Sequence, residues 1–278
     1  IELDALSKLG GQVIAAGILV WFGIQYNFFY LPDGRVISEN SQAAALSVFA
    51  VLATANAVNF VDGLDGLAAG VVGVGATAFF VFCYQIANLN QLPLATTGAL
   101  LSAMLAGACA GFLVHNFHPA RIFMGDSGSM LLGLMLTASA MTLTAQFNPA
   151  DLEREAATGQ TWLIFLLPVM VSIAILVVPL SDLTLSIIRR TSQLKPFFHP
   201  DKQHLHHRLL ELGHSHRRAV LVMWSWAALF GFGTVLAVLY GGRTILITLG
   251  LMLLLTLAAT FLLPRIRGTS RAPSEHTG

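Results

Sequence analysis

Eight apolar stretches punctuate the chain, at approximately residues 9–29, 43–60, 68–87, 96–115, 129–145, 162–180, 219–240 and 244–263. Each is close to the 20 or so residues that an α-helix needs to cross a bilayer. The fifth is short, and the sixth carries Pro168 and Pro179. Proline is tolerated in a span when neighbouring helices re-satisfy the carbonyls it frees. The pattern predicts an all-α, polytopic transmembrane helical bundle of about eight spans, with one membrane domain over 1–264 and a polar, mobile tail over 265–278.

Composition agrees. Of 278 residues, 55% are hydrophobic and 10% charged, with a mean hydropathy of +0.73. A soluble domain carries about 25% charged residues, so a water-soluble globule is excluded, as is disorder. Cys83 and Cys109 lie inside apolar runs and read as buried hydrophobes. The net charge of +1 gives no sign of a nucleic-acid partner. The placement of charge says more. Lys8, Arg121, Arg189, Arg190, Lys195, Lys202, Arg208, Arg217, Arg218, Arg265, Arg267 and Arg271 fall in one set of alternate loops, and only Arg35, Arg154 and Arg243 in the other. The positive-inside rule then puts the first set, with both termini, in the cytoplasm.

Three polar constellations fall on that same side. The first, Asn59-Phe-Val-Asp62-Gly63-Leu64-Asp65-Gly66, joins spans two and three. Acids at a span end are costly and repel each other when no base is beside them. Asn59, Asp62 and Asp65 are three apart, so one helical turn brings them together, and glycines between them admit a ligand to the backbone. Such a turn reads as a ligand site rather than a solvated connection.

The second constellation runs from Asn116 through His118, Pro119, Arg121 and Phe123 to Gly125-Asp126-Ser127-Gly128-Ser129, at the start of span five. Asp126 reads either as a helix N-cap or as part of a ligand site in which free N–H groups hold phosphate. The third holds six of the nine histidines: His199, His204, His206 and His207, then His214 and His216, among seven Lys and Arg over 189–218. A zinc site would want carboxylate or thiolate help. The basic neighbours favour anion binding by imidazole and guanidinium over a cation site or a simple charged anchor. Carboxylates, glycines and a cationic loop together point to Mg²⁺ with a diphosphate substrate, and the membrane setting to a lipid as the second substrate. The motif of CDP-alcohol phosphotransferases fits only in part: Asp62, Asp65, Gly66 and Ala69 match, but position 70 is Gly rather than Arg and no Asp follows in span three.

Taken in order, N-x-x-D-G-L-D-G over 59–66, N-x-x-P-A-x-x-F-M-G-D-x-G-S over 116–129 and P-D-K-Q-H-x-H-H-R over 200–208 resemble the polyprenyl-phosphate N-acetylhexosamine-1-phosphate transferases of glycosyltransferase family 4 type. The chain is most similar to their bacterial UDP-N-acetylglucosamine branch, which uses undecaprenyl or decaprenyl phosphate. The resemblance implies a cytoplasmic cleft in the inner membrane and the first membrane step of cell-envelope polysaccharide synthesis. It implies Mg²⁺, or Mn²⁺, on Asp126, with Asp62 and Asp65 in the cleft near donor and metal. It implies Phe123 stacked on uracil, Asn59, Gly63 and Leu64 lining that pocket, and Asn116, Arg121, Lys202 and Arg208 near substrate. His204, His206 and His207 would contact the phosphates. The muramoyl-pentapeptide branch has three consecutive histidines where Leu205 interrupts them here, although UDP-muramoyl-pentapeptide or another UDP-sugar remains the alternative donor. A homodimer is compatible with the resemblance.

The family also has an adjacent Asp pair just before the segment matching 3–11. This chain contains no Asp-Asp, so it is expected to be a C-terminal fragment lacking about three spans and some metal ligands. The expected chemistry is attack of a lipid phosphate oxygen on the β-phosphorus of UDP-N-acetylglucosamine, with UMP leaving. The acceptor phosphate is largely ionised already, its second pKa being about 6, so a general base is optional, and either Asp62 or Asp65 could serve. The rival classes are a transporter with intramembrane carboxylates and a non-catalytic binding module. A transporter predicts acids near the midplane and an internal repeat; here the acids gather at one face and no repeat is evident.

Overall fold

The computed structural model describes residues 4–26, 29–30, 36–37, 40–89, 95–144 and 209–261. They form seven long helices: α1 (Ala5–Trp21), α2 (Asn40–Val61), α3 (Leu67–Leu89), α4 (Ala95–Asn116), α5 (Gly125–Thr144), α6 (His216–Leu239) and α7 (Gly242–Phe261). A two-residue antiparallel ribbon, β1 (Phe29–Tyr30) with β2 (Val36–Ile37), lies between α1 and α2. Six of the helices, α2 to α7, are long and apolar enough to cross a membrane, and the chain is a multi-pass helical bundle. The expected sixth span at 162–180, the histidine-rich stretch 199–208 and the tail 265–278 lie outside the described residues.

The first span needs correction. Its helix begins at Ala5 and stops at Trp21 rather than running over 9–29. Gly23 takes a positive φ of 78°. The N–H of Gly23 then bonds to Val20 O (2.9 Å) and that of Ile24 to Leu19 O (2.8 Å). This is the Schellman closure, in which a left-handed residue lets the last carbonyls of a helix find donors. The apolar run continues past Gly23, but the helix does not.

α3 is the hub of the bundle. It packs mainly against α4 and α6 and also touches α5, while α2 packs on α5 and α1. Phe79, Phe82, Val72, Met141 and Leu136 form the main core between these helices. In lipid, apolar burial gives little drive for helix association, so small residues that let backbones approach carry much of it. Gly133 sits where a β-carbon would lie 2.7 Å from Ala55 Cα, so α2 and α5 touch backbone to backbone. Gly70 accepts the indole of Trp224, which a β-carbon would meet at 1.8 Å. This packing accounts for the Gly at position 70, where the CDP-alcohol motif has Arg. α1 is tied on by polar contacts inside the apolar zone: Asn56 Nδ2 donates to Gln12 Oε1 (2.7 Å) and Gln12 Nε2 donates to Asn56 Oδ1 (3.4 Å). α7 leaves Leu246, Ile247, Leu251, Leu254 and Leu255 exposed, a face suited to lipid.

Replacing Gly133 with Leu is expected to wedge α2 from α5 and lower the melting temperature in detergent, an overpacking cost of about 1–3 kcal/mol. Gly107 has open space around its missing β-carbon, so Gly107→Leu should leave melting nearly unchanged. Thermal unfolding of the two purified variants side by side checks this.

Candidate functional site

Alternation of the helices brings the end of α2, both ends of the 117–124 loop and the starts of α1, α3, α5 and α6 to one end of the bundle. Lys8 reaches Asp126, Arg217 reaches His118, and Trp224 reaches Gly66. His214 Nε2 lies 2.9 Å from Thr260 O, which places the end of α7 there too. The first two constellations therefore meet, as their shared loop side predicts.

The turn after α2 is shaped by glycine. Gly66 has φ 78° and closes on Phe117, whose ring would stand 3.2 Å from a β-carbon. Its N–H donates to Asn116 Oδ1 (2.9 Å), and Asn116 Nδ2 donates to Ile122 O (2.9 Å). Asn116 is buried. Its amide staples the 62–66 turn to the 117–124 loop, a framework role that the residue pattern alone does not show.

Between those segments opens a cleft of ≈ 310 Å³ lined by Asp62, Gly63, Leu64, Asp65, Asn116, Phe123, Met124, Gly125 and Asp126. Phe123 is 78% exposed and offers its ring as a platform. Asp126 lies in the first turn of α5. Rather than capping the helix, its carboxylate accepts from Lys8 Nζ on one oxygen and from Asn59 Nδ2 (3.1 Å) on the other. Asn59 Nδ2 also lies 2.9 Å from Ser129 Oγ. Lys8, a lone cation in an apolar helix, was legible only as an orienting charge; its pairing with Asp126 over 118 residues had no local signal.

The two acids of the turn differ. Among the described residues Asp62 makes no side-chain hydrogen bond, and burial, reinforced by the negative charge of Asp126, pushes its carboxyl up to about 6. Asp65 is held. His118 Nδ1 stands 2.8 Å from Asp65 Oδ2, and Ala120 N–H donates to the same oxygen (3.1 Å). Partial burial acts to raise Asp65, but these hydrogen bonds and the charges of His216 and His118 outweigh it and hold the carboxyl below its usual range.

Of the residues singled out in the sequence, Asn59, Asp62, Gly63, Leu64, Asp65, Asn116, Phe123 and Asp126 are brought together. Arg121 is exposed on the neighbouring loop, its N–H bonded to His115 O (2.8 Å). Lys202, His204, His206, His207 and Arg208 lie outside the described residues. The contacts of Lys8, His118, His216 and Arg217 are additions that the spacing did not disclose. A second, mostly apolar groove of ≈ 310 Å³ adjoins Asp126 on its other side, lined by Lys8, Gln12, Val51, Ala55, Met130 and Leu134 among others.

Residues 1–144 match the profile of glycosyl transferase family 4. The chain belongs to that family. Within it, the decaprenyl-phosphate N-acetylglucosaminephosphotransferase of Mycobacterium tuberculosis is 40% identical over 270 residues, 95% of this chain and 65% of the relative. The protein of the same name from Mycolicibacterium smegmatis is 39% identical over 95% of this chain and 65% of its own length. A phospho-N-acetylmuramoyl-pentapeptide-transferase from Desulforudis audaxviator is 33% identical over 85% of this chain and 64% of its own. The chain thus spans slightly less than two thirds of the length of these family members.

The raised carboxyl of Asp62 fixes a pH dependence of folding. A group protonated more readily when folded adds stability below its unfolded value of 3.8, and that stability is lost as pH rises through about 6. In metal-free protein, Asp62→Asn should therefore raise the melting temperature at pH 7.5 and change it little near pH 4, as thermal scans at the two pH values would show.

Proposed function

We propose that this family 4 member transfers N-acetylglucosamine-1-phosphate from UDP-N-acetylglucosamine to a polyprenyl phosphate, giving the polyprenyl-diphosphate sugar and UMP. The supporting observation is a single arrangement: Asp62 and Asp126 share a cleft with an exposed aromatic platform, and that cleft adjoins an apolar groove. Similarity to the mycobacterial decaprenyl-phosphate N-acetylglucosaminephosphotransferase, 40% identical over 95% of this chain, supports the donor. The cleft faces the cytoplasm of the bacterial inner membrane in this reading, since the basic loops gather at its end.

The donor set fits Mg²⁺. Carboxylates of Asp62 and Asp126, the amide of Asn59 and nearby serine hydroxyls are hard oxygen ligands, and a bound cation would offset the like charge of Asp126 that adds to burial in raising Asp62. Asp126 would hold the ion, Mg²⁺ or Mn²⁺, which when bound supplies neutralisation of the diphosphate charge.

The remaining steps belong to the chain. Phe123 stacks on the base and Gly63 and Leu64 close around it, which positions the β-phosphorus. Lys8 sits between groove and cleft, where its ammonium can exchange Asp126 for the acceptor phosphate. A lipid phosphate oxygen then bonds to the β-phosphorus as the bond to the bridging oxygen breaks, and UMP carries that oxygen away. Asp62, free of side-chain hydrogen bonds among the described residues and lining the same cleft, is the acid able to take the last acceptor proton. Asp65, already hydrogen-bonded twice, is not placed for that task. Positioning and charge neutralisation supply most of the acceleration in such transfers. The histidine-rich stretch 199–208 is read as a further phosphate contact.

Two variants of the full-length enzyme test the proposal by UMP release in detergent with Mg²⁺ and polyprenyl phosphate. Asp126→Asn should lower kcat/KM at least about 100-fold, since the lost charge stabilisation amounts to several kcal/mol. Phe123→Ala should raise KM for the UDP-sugar about tenfold, base–aromatic stacking being worth about 1–3 kcal/mol. Normal release by Asp126→Asn, or faster turnover of UDP-muramoyl-pentapeptide than of UDP-N-acetylglucosamine, would overturn the metal role or the donor respectively.

A further inference from the structure

One side-chain cluster beside the cleft has no task in the reaction as described. His118 lies in the loop after α4, and His216 and Arg217 open α6. The two imidazoles stack, with centroids 4.3 Å apart and planes at 18°. Arg217 Nε donates to the backbone carbonyl of His118 (2.9 Å). His118 Nδ1 in turn meets Asp65 Oδ2. An ionised carboxylate only accepts, so Nδ1 carries the proton of that bond.

Asp65 Oδ2 is thus saturated by His118 and by the Ala120 N–H. Among the described residues Oδ1 has no hydrogen bond, and Asp65 lines the cleft. Freezing one oxygen fixes the direction in which the other points. Without the clamp, the Asp65 side chain sits on a glycine-flanked turn and is free to rotate.

Asp65, His118 and His216 each offer a donor atom within 4.8 Å of the others, so a divalent cation is a competing occupant. Two observations weigh against it. Ring nitrogens bind metals through lone pairs in the ring plane, and two rings stacked at 18° aim those lone pairs nearly parallel rather than at one point. The Arg217 guanidinium, bonded to the His118 carbonyl, adds positive charge beside the cluster. The stack instead uses the face of His216. Its Nε2 is buried without a hydrogen-bond partner, a cost that a ring without nitrogen would avoid.

We propose that His118, braced by His216 and Arg217 from the start of α6, is the positioning residue of Asp65, presenting its free oxygen to the UDP-sugar. This rests on the transfer reading above. It makes α6 part of the donor site through the 117–124 loop, without any α6 side chain needing to touch substrate.

The test is steady-state kinetics on the purified protein with UDP-N-acetylglucosamine. His118→Ala should raise KM for the donor about tenfold, the scale of one charge-assisted hydrogen bond, with kcat changed less than about threefold. His118→Asn, whose Nδ2 can stand where Nδ1 stood, should restore KM to within about threefold, and His118→Gln should not. His216→Phe keeps a stacking ring and should behave as wild type, whereas His216→Ala should raise KM. Loss of kcat with unchanged KM in His118→Ala, or equal impairment of the Asn and Gln variants, would overturn the clamp. Impairment of His216→Phe to the level of His118→Ala would replace it with a cation site. If His118→Ala fails to fold, the Asn and Gln comparison decides alone. A thermal double-mutant cycle of Asp65→Ala with His118→Gln, each of which removes the bond, separates this idea from the transfer reading. Full-length protein that does not turn over UDP-N-acetylglucosamine overturns the transfer, whereas absence of coupling between positions 65 and 118 overturns the clamp whatever the substrate.

Discussion

The burial of Asp62 beside the like charge of Asp126 is the constraint around which this end of the bundle is organised. The two carboxylates come from the turn after α2 and the first turn of α5, meet in one half-buried cleft and belong to a chain in which only 10% of residues are charged. Burial and like charge push Asp62 up to about 6. Lys8 and Asn59 offset the charge of Asp126. A fold under selection for stability alone has cheaper solutions, since an Asn at position 62 would keep the shape without the charge. Under the proposed function, the retained charge is a preference for a cation, and through it for the phosphates of the UDP-sugar.

The rest of the structure serves to hold those groups without leaving polar atoms stranded in lipid. Gly133 brings α2 and α5 backbone to backbone, and Gly70 admits the Trp224 indole of α6 against α3, which sets the spacing of the helix ends. Gln12 and Asn56 satisfy each other inside the apolar zone and fix α1, so that Lys8 lands on Asp126. Asn116 then ties the turn of one constellation to the loop of the other. Each of these contacts helps to determine where the side chains of the cleft stand.

Much of this was legible in the residue order. Apolar run lengths disclosed the helices α2 to α7, because in a bilayer the span length is a physical requirement. The spacing of Asn59, Asp62 and Asp65 and the Gly-Asp-Ser-Gly at 125–128 disclosed the cleft, because acids at span ends need a reason. What escaped depends on long-range geometry. The first span was read eight residues too far because the run stays apolar beyond Gly23, whose left-handed conformation ends the helix. The division of labour between Asp62 and Asp65 was invisible because it is set by His118, 53 residues away. His118 belongs to the second constellation and His216 to the histidine-rich third, and only the folded bundle stacks the two.

The most direct test of the shared carboxylate site is Mn²⁺ binding followed by electron paramagnetic resonance on purified protein. The account predicts a bound Mn²⁺ that competes with Mg²⁺, is lost in Asp126→Asn and weakens in Asp62→Asn. Undiminished Mn²⁺ binding by both variants would contradict it.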